Sequence, residues 1–165
     1  MIKVYDNVIP QSELKSLDNY LTYEYEWHLS VDSDIPECPL SLGGTIERKY
    51  FSEGFQYLLS LIREKGYNTD RIYRNYVNCF RKGDNPQYHT DPGGNSYLFY
   101  TNSKWKRHWG SPTKFKGKFL DTIVYPKPGR LIVFDSQIKH KGVSPTMFMP
   151  FSIAGRFSVV FHEQA

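Results

Sequence analysis

The chain has 165 residues, enough for one compact domain with a sizeable core and too few for two comfortable ones. Hydrophobic residues make up 39% and charged residues 23%, which excludes a disordered chain, and the net charge of +4 permits an anionic partner without pointing to nucleic acid. Cys38 and Cys79 form neither a disulfide framework nor a zinc pattern, and no stretch reaches the roughly 18 apolar residues that a membrane helix needs.

In chain order, "IKVYDNVI" reads as a short strand that stops at Pro10. Leu14, Leu17 and Leu21 then recur at helical spacing, predicting a first amphipathic helix. Residues 28–48 hold two prolines, a Gly-Gly and no period, and are expected to be loop. A second helix is expected next, with Ser52 as N-cap, Phe55, Leu58, Leu59 and Ile62 as its apolar stripe, and Gly66 as its end. From residue 71 the pattern changes to short β segments: "RIYRNYVNCF", "SYLFYT", "KFLDTIVY", "RLIVFD" and "GRFSVVFH". Helices first and strands afterwards predict an α+β chain, mainly β. The first 70 residues would be a helical support and residues 71–165 a sandwich or barrel core, all within one domain. The opening residues show no basic start followed by an apolar run, so no secretory signal is read there and a cytoplasmic location is expected.

The chemistry concentrates in "QYHTDPGG". Alternate residues of an extended segment share a side, so His89 and Asp91 project together before Pro92 ends the run. His140 follows the apolar strand "RLIVFD" and supplies a third donor. Two imidazoles and one carboxylate with positions left open is the donor set of non-haem Fe(II), whereas zinc prefers a closed tetrahedral set. In "GRFSVVFH" one face carries Arg156, Ser158, Val160 and His162, the other Phe157, Val159 and Phe161. A guanidinium and a hydroxyl pointing inward from such a strand call for an anion, and Arg suits a carboxylate. The bland alternative is a solvated face with Arg156 on the surface.

His89-x-Asp91, then His140, then Arg156-x-Ser158 resembles the ordered signature of the Fe(II)/2-oxoglutarate-dependent oxygenases, over residues 74–162. Asn78, Phe80 and Gly83 resemble the lead-in to the His-x-Asp motif. "YLFYTNSKWKRHWGSPTKF" and "YPKPGRLIVFDSQIKHKGVSP" are similar to segments of the prolyl-hydroxylase-like members. The resemblance implies a double-stranded β-helix (a jelly roll) with the N-terminal helices packed on one face. It implies Fe(II) held by His89, Asp91 and His140, and 2-oxoglutarate held by Arg156 with Ser158, Tyr100 and Asn78. Dioxygen would be the oxidant, ascorbate the reductant, and a C–H bond the target, as a prolyl or other residue of a peptide, protein or amino acid. Phe80 stands where many relatives carry a 2-oxoglutarate-binding Tyr. Gly110-Ser111-Pro112-Thr113 replaces Gly-Gly-Glu-Thr and is expected to touch no ligand.

Two other readings stand beside this one. "KWKRHWGSPTKFKGK" interleaves Lys and Arg with Trp105, Trp109 and Phe115, a pattern that suits single-stranded nucleic acid and hence a nucleobase oxygenase or demethylase. Against it, the resemblance places Trp105 and Trp109 at structural positions, and His162 stands where the demethylases carry a second Arg. The third reading is a non-catalytic metal-binding jelly roll. Arg74 and Tyr76 share the face of Asn78 and are expected to contact substrate, while His28 and His108 are expected to be surface or structural residues.

Overall fold

The computed structural model describes residues 1–25, 27–30, 41–44, 48–84 and 86–165. Cys38 and most of the expected loop lie outside the described residues. The chain runs β1 (Ile2–Tyr5), α1 (Gln11–Asn19), a π-helical turn (Tyr20–Glu24), β2 (His28–Ser30), β3 (Ser41–Gly44) and α2 (Arg48–Glu64). It continues as β4 (Ile72–Phe80), β5 (Asn95–Tyr100), a 3₁₀ turn (Arg107–Trp109), β6 (Thr113–Phe115), β7 (Thr122–Val124), β8 (Leu131–Asp135), β9 (His140–Gly142) and β10 (Arg156–Glu163).

Seven strands form one antiparallel sheet in the order β1-β8-β5-β10-β4-β3-β2, and β7-β6-β9 form a second. This is the double-stranded β-helix, mainly β with helices at one face. The strand alternation explains the layering. Val77, Cys79, Tyr97, Phe99, Leu131, Val133, Phe157, Val159 and Phe161 join Leu14, Leu21, Leu58, Leu59, Leu61 and Ile62 in one core between large sheet and helices. The intervening residues Leu98, Tyr100, Ile132, Phe134 and Val160 meet Phe115 and Val124 of the small sheet in a second core. Period two on the strands and 3.6 on the helices thus send each apolar set to its own layer. The first helix closes on its apolar stripe, with Leu14 and Leu21 buried.

Three details differ from the sequence reading and one agrees with it. β2 and β3 lie inside the stretch expected to be loop, because β3 gains a partner in β4, where Leu42 pairs with Cys79. Ser52 is not an N-cap: α2 begins at Arg48, since nothing in residues 48–51 breaks a helix. Gly66 does end it, at φ 82°, with its N–H on the Arg63 carbonyl and that of Tyr67 on the Ile62 carbonyl, the two bonds of a Schellman end. Finally, the first 70 residues add strands as well as helices to the large sheet. No helix among the described residues is long and apolar enough to cross a membrane.

Candidate active site

His89 is not part of a full strand as expected. Proline and glycine on both sides limit its pairing to one bridge, in which the N–H of His89 donates to the His140 carbonyl at 3.0 Å and that of His140 to the His89 carbonyl at 2.8 Å. Asp91 is pinned by its N–H on the Ser136 carbonyl at 2.9 Å. The extended backbone still turns His89 and Asp91 to one side, where they meet His140. Asp91 Oδ1 lies 3.8 Å from His89 Nε2 and Oδ2 lies 3.3 Å from His140 Nε2. One ligand atom from each of the three residues falls within 4.8 Å of the others, and no other such trio is found among the described residues.

The second ring nitrogens fix the imidazoles. His89 Nδ1 is 3.1 Å from the Gln87 carbonyl and His140 Nδ1 is 2.8 Å from the Ile138 carbonyl. A carbonyl only accepts, so each Nδ1 carries the proton and each Nε2 presents its lone pair towards Asp91. Burial pushes the Asp91 carboxyl up, but the neighbouring imidazoles of His140, His162 and His89 outweigh it, and the net shift is downward. The group is a carboxylate at neutral pH.

His89 and His140 open into a cavity of about 350 Å³, solvent at its mouth included, that Arg156 also lines. Arg156 is 1% exposed, which excludes the solvated-face reading. Its guanidinium lies 4.2 Å from the centroid of Phe80 and 5.3 Å from that of Tyr100, and Nη1 is 3.3 Å from Thr113 Oγ1. Tyr100 Oη is 2.7 Å from the same Thr113 hydroxyl and donates to the Val124 carbonyl at 3.2 Å. Burial lowers the Arg156 pKa, opposed by Tyr100. Arg156 Nε and Ser158 Oγ are buried without a hydrogen-bond partner, and among the described residues no carboxylate pairs with the guanidinium. An uncompensated buried cation is costly, so this end of the cavity fits an anionic ligand group.

Of the other expected site residues, Asn78 and Tyr76 line the cavity, while Tyr100 and Ser158 are buried and are not among its lining residues. Arg74 is exposed, with its guanidinium 5.1 Å from the centroid of Tyr76, and does not line the cavity. Thr113 belongs to the motif expected to touch no ligand, yet it lines the cavity. It faces the cavity beside Arg156, and the Thr-x-Phe alternation, with Phe115 inward, was the signal for it. The buried Ser96, Ser136 and His162 were also missed; they come together only through strand pairing. His108 is exposed, as expected for a surface residue, and the His28 side chain lies outside the described residues.

No family model matches the sequence, and neither does any curated protein. Solved structures do match. A prolyl-4-hydroxylase from Pseudomonas putida superposes with a TM-score of 0.74 at 16% identity, covering 99% of this chain and 92% of that one. A prolyl hydroxylase from Trichoplax adhaerens, in complex with a hypoxia inducible factor oxygen degradation domain peptide fragment, gives 0.74 at 16% identity, with 99% and 83% covered. The chain has the fold of these hydroxylases. A 2OG-Fe(II) oxygenase family oxidoreductase from Burkholderia pseudomallei shares it too, with a TM-score of 0.70 at 14% identity and 99% and 87% covered. Within this hydroxylase fold the cavity lies between the two sheets, with His140 and Gly142 on the small sheet facing Asn78 and Arg156 on the large one.

Proposed function

We propose that the chain is an Fe(II)- and 2-oxoglutarate-dependent dioxygenase that hydroxylates an unactivated C–H bond of a prolyl or other residue in a peptide or protein, or of an amino acid. One observation carries this reading: a single cavity meets both the imidazoles of a two-imidazole, one-carboxylate cluster and a buried guanidinium with no counter-ion among the described residues. The donor set fits Fe(II), since it gathers three ligands on one side and leaves the cavity side open. The orphaned Arg156 Nε and Ser158 Oγ fit the distal carboxylate of 2-oxoglutarate, a group that accepts at both oxygens. When bound, the metal and 2-oxoglutarate supply oxidative decarboxylation, which consumes dioxygen and yields succinate, CO2 and a hydroxylated product.

The residues' own work follows from their geometry. The Gln87 and Ile138 carbonyls hold His89 and His140 with Nε2 towards the metal position. Arg156, steadied between Phe80 and Tyr100, anchors the diacid, with Thr113 beside it; Thr113, held by Tyr100, takes over the polar contact that Phe80 lacks. Leu98, Phe134 and Val160 line the cavity with apolar surface that excludes water from the reacting centre. Asn78 and Tyr76 remain for the keto-acid end and the substrate.

The similarity to prolyl hydroxylases, one of them bound to a peptide, supports a peptide or protein substrate. Nothing favours a nucleobase. Trp109 and Phe115 are buried, and Trp105 packs edge-on to Trp109 with its Nε1–H on the Gly110 carbonyl, so these rings are spent on packing. The buried, unpaired Cys79 is compatible with the reducing cytoplasm, where we expect the protein to act.

Purified protein supplied with Fe(II), ascorbate and 2-oxoglutarate is expected to release succinate slowly even without its prime substrate. His140→Ala should abolish this. Arg156→Ala should weaken 2-oxoglutarate binding far more than metal binding. Metal binding with no turnover under any condition would favour the non-catalytic module, and equal loss of both ligands in Arg156→Ala would overturn the anchor role.

A further inference from the structure

Behind Asp91 lies a polar cluster sealed from solvent. Ser96, Ser136 and His162 have no exposed surface. Ser96 Oγ is 2.8 Å from Ser136 Oγ, 3.0 Å from His162 Nδ1 and 3.3 Å from Asp91 Oδ2. On its other side His162 Nε2 is 3.2 Å from the hydroxyl of Tyr76, which lines the cavity. The cluster draws on β4, β5, β10, the residue just after β8 and the segment that carries Asp91, so it ties several elements to that carboxylate.

Donor and acceptor capacities fix the direction of each bond. The Asp91 carboxylate only accepts, so the single hydroxyl proton of Ser96 goes to Oδ2. Ser96 Oγ must then accept, on its two lone pairs, from Ser136 and from a protonated Nδ1 of His162. A neutral ring with its proton on Nδ1 accepts at Nε2, and Tyr76 donates there. The chain runs one way, from Tyr76 through His162 and Ser96 to Asp91, with each of these bonds satisfied. A polar group this deep is costly unless fully paired, and this one is.

We propose that Ser96 and His162 are positioning residues: together they form a strut that fixes the Asp91 carboxylate for metal binding and couples it to the Tyr76 hydroxyl at the cavity. The proposal rests on reading His89, Asp91 and His140 as the metal centre.

Co(II) titration of the metal-free full chain tests it, with visible absorption reporting affinity and coordination geometry. His162→Phe keeps a ring and removes both nitrogens. It is expected to bind Co(II) about 10- to 100-fold more weakly, the usual cost of losing a ligand's supporting partner, and to shift the visible bands. Ser96→Ala should do the same, and the double variant should be no worse than the poorer single one, because the two act as one unit. His162→Asn, whose amide N–H replaces Nδ1–H, should recover most of the affinity. Folded His162→Phe or Ser96→Ala protein with wild-type affinity and spectrum would overturn the strut. So would additive losses, or a loss equally deep in His162→Asn, which would show that the Nδ1–H donor is not what holds Asp91. Should His162→Phe fail to fold, Ser96→Ala decides, since it removes a single oxygen. Failure of the wild type itself to bind Co(II) would sink the metal centre rather than the strut alone.

Discussion

Gly142→Ala tests whether the floor of the cavity is as tightly set as its geometry indicates. A Cβ built at Gly142 would lie 2.6 Å from Phe80 Cζ, 2.9 Å from Cε2 and 3.0 Å from Cε1. Carbon atoms rest at about 3.5–4.0 Å, so the ring must retreat by roughly 1 Å. Phe80 is buried and its ring sits 4.2 Å from the Arg156 guanidinium, so retreat disturbs the anchor. Gly142 is not at a positive φ, and backbone strain does not enter. Overpacking of this kind costs about 1–3 kcal/mol of stability. Losing half of a desolvated cation–π contact, about 1 kcal/mol, weakens 2-oxoglutarate binding by roughly 5- to 10-fold. Urea unfolding measures the first quantity, and calorimetric titration of 2-oxoglutarate into Co(II)-loaded protein measures the second. Co(II) affinity should change less than either. Phe80→Leu in the Gly142→Ala background should restore part of the stability by clearing the space. A Gly142→Ala protein with wild-type stability and 2-oxoglutarate affinity would refute the reasoning.

Thr113→Val removes the hydroxyl shared by Tyr100 and Arg156, while Tyr100 keeps the Val124 carbonyl; a loss of about 1 kcal/mol is expected in urea unfolding, with 2-oxoglutarate binding several-fold weaker by titration. His89→Ala should abolish Co(II) binding yet move unfolding by less than about 0.5 kcal/mol, because the side chain is half-exposed; a collapse in stability would contradict its placement at the mouth. The hydrogen bond from Arg130, with support from Lys127, holds the Asp6 carboxyl at about 2, against some upward push from burial. A depressed carboxyl stabilises above its unfolded value near 3.8 and loses that contribution as pH falls towards 2. Since the side chain is 37% exposed, screening reduces the expected effect to about 0.5–1 kcal/mol. Asp6→Asn should flatten stability over that acid window, and 0.5 M salt should shrink the difference, where roughly 0.5 M already shortens the Debye length well below 8 Å.

The helix-facing and cavity-facing sets of β10 were legible because the strand is buried on both sides with different chemistry on each. Phe157, Val159 and Phe161 read as core, and Arg156 could only be explained inward by an anion. The three metal-ligand candidates were legible for a similar reason, since two short motifs bracket the apolar strand β8. What was not legible depends on pairing. β2 and β3 carry glycine and loop-like composition, and β3 becomes strand because β4 offers it a register, a tertiary override of weak local preference. β6 and β9 have three residues each, too few for a period to declare itself. Thr113 and the His162 cluster followed from that gap: the partners of Thr113 are Tyr100 and Arg156, and those of His162 are Ser96 and Tyr76, all distant in sequence.

The paired backbone bonds between His89 and His140 bear on how such a centre endures. The two main chains are clamped to each other and each imidazole to a nearby carbonyl, so the arrangement is written into the architecture and does not wait for an ion to create it. On the proposed function, a centre built this way would take up or release a metal ion without refolding.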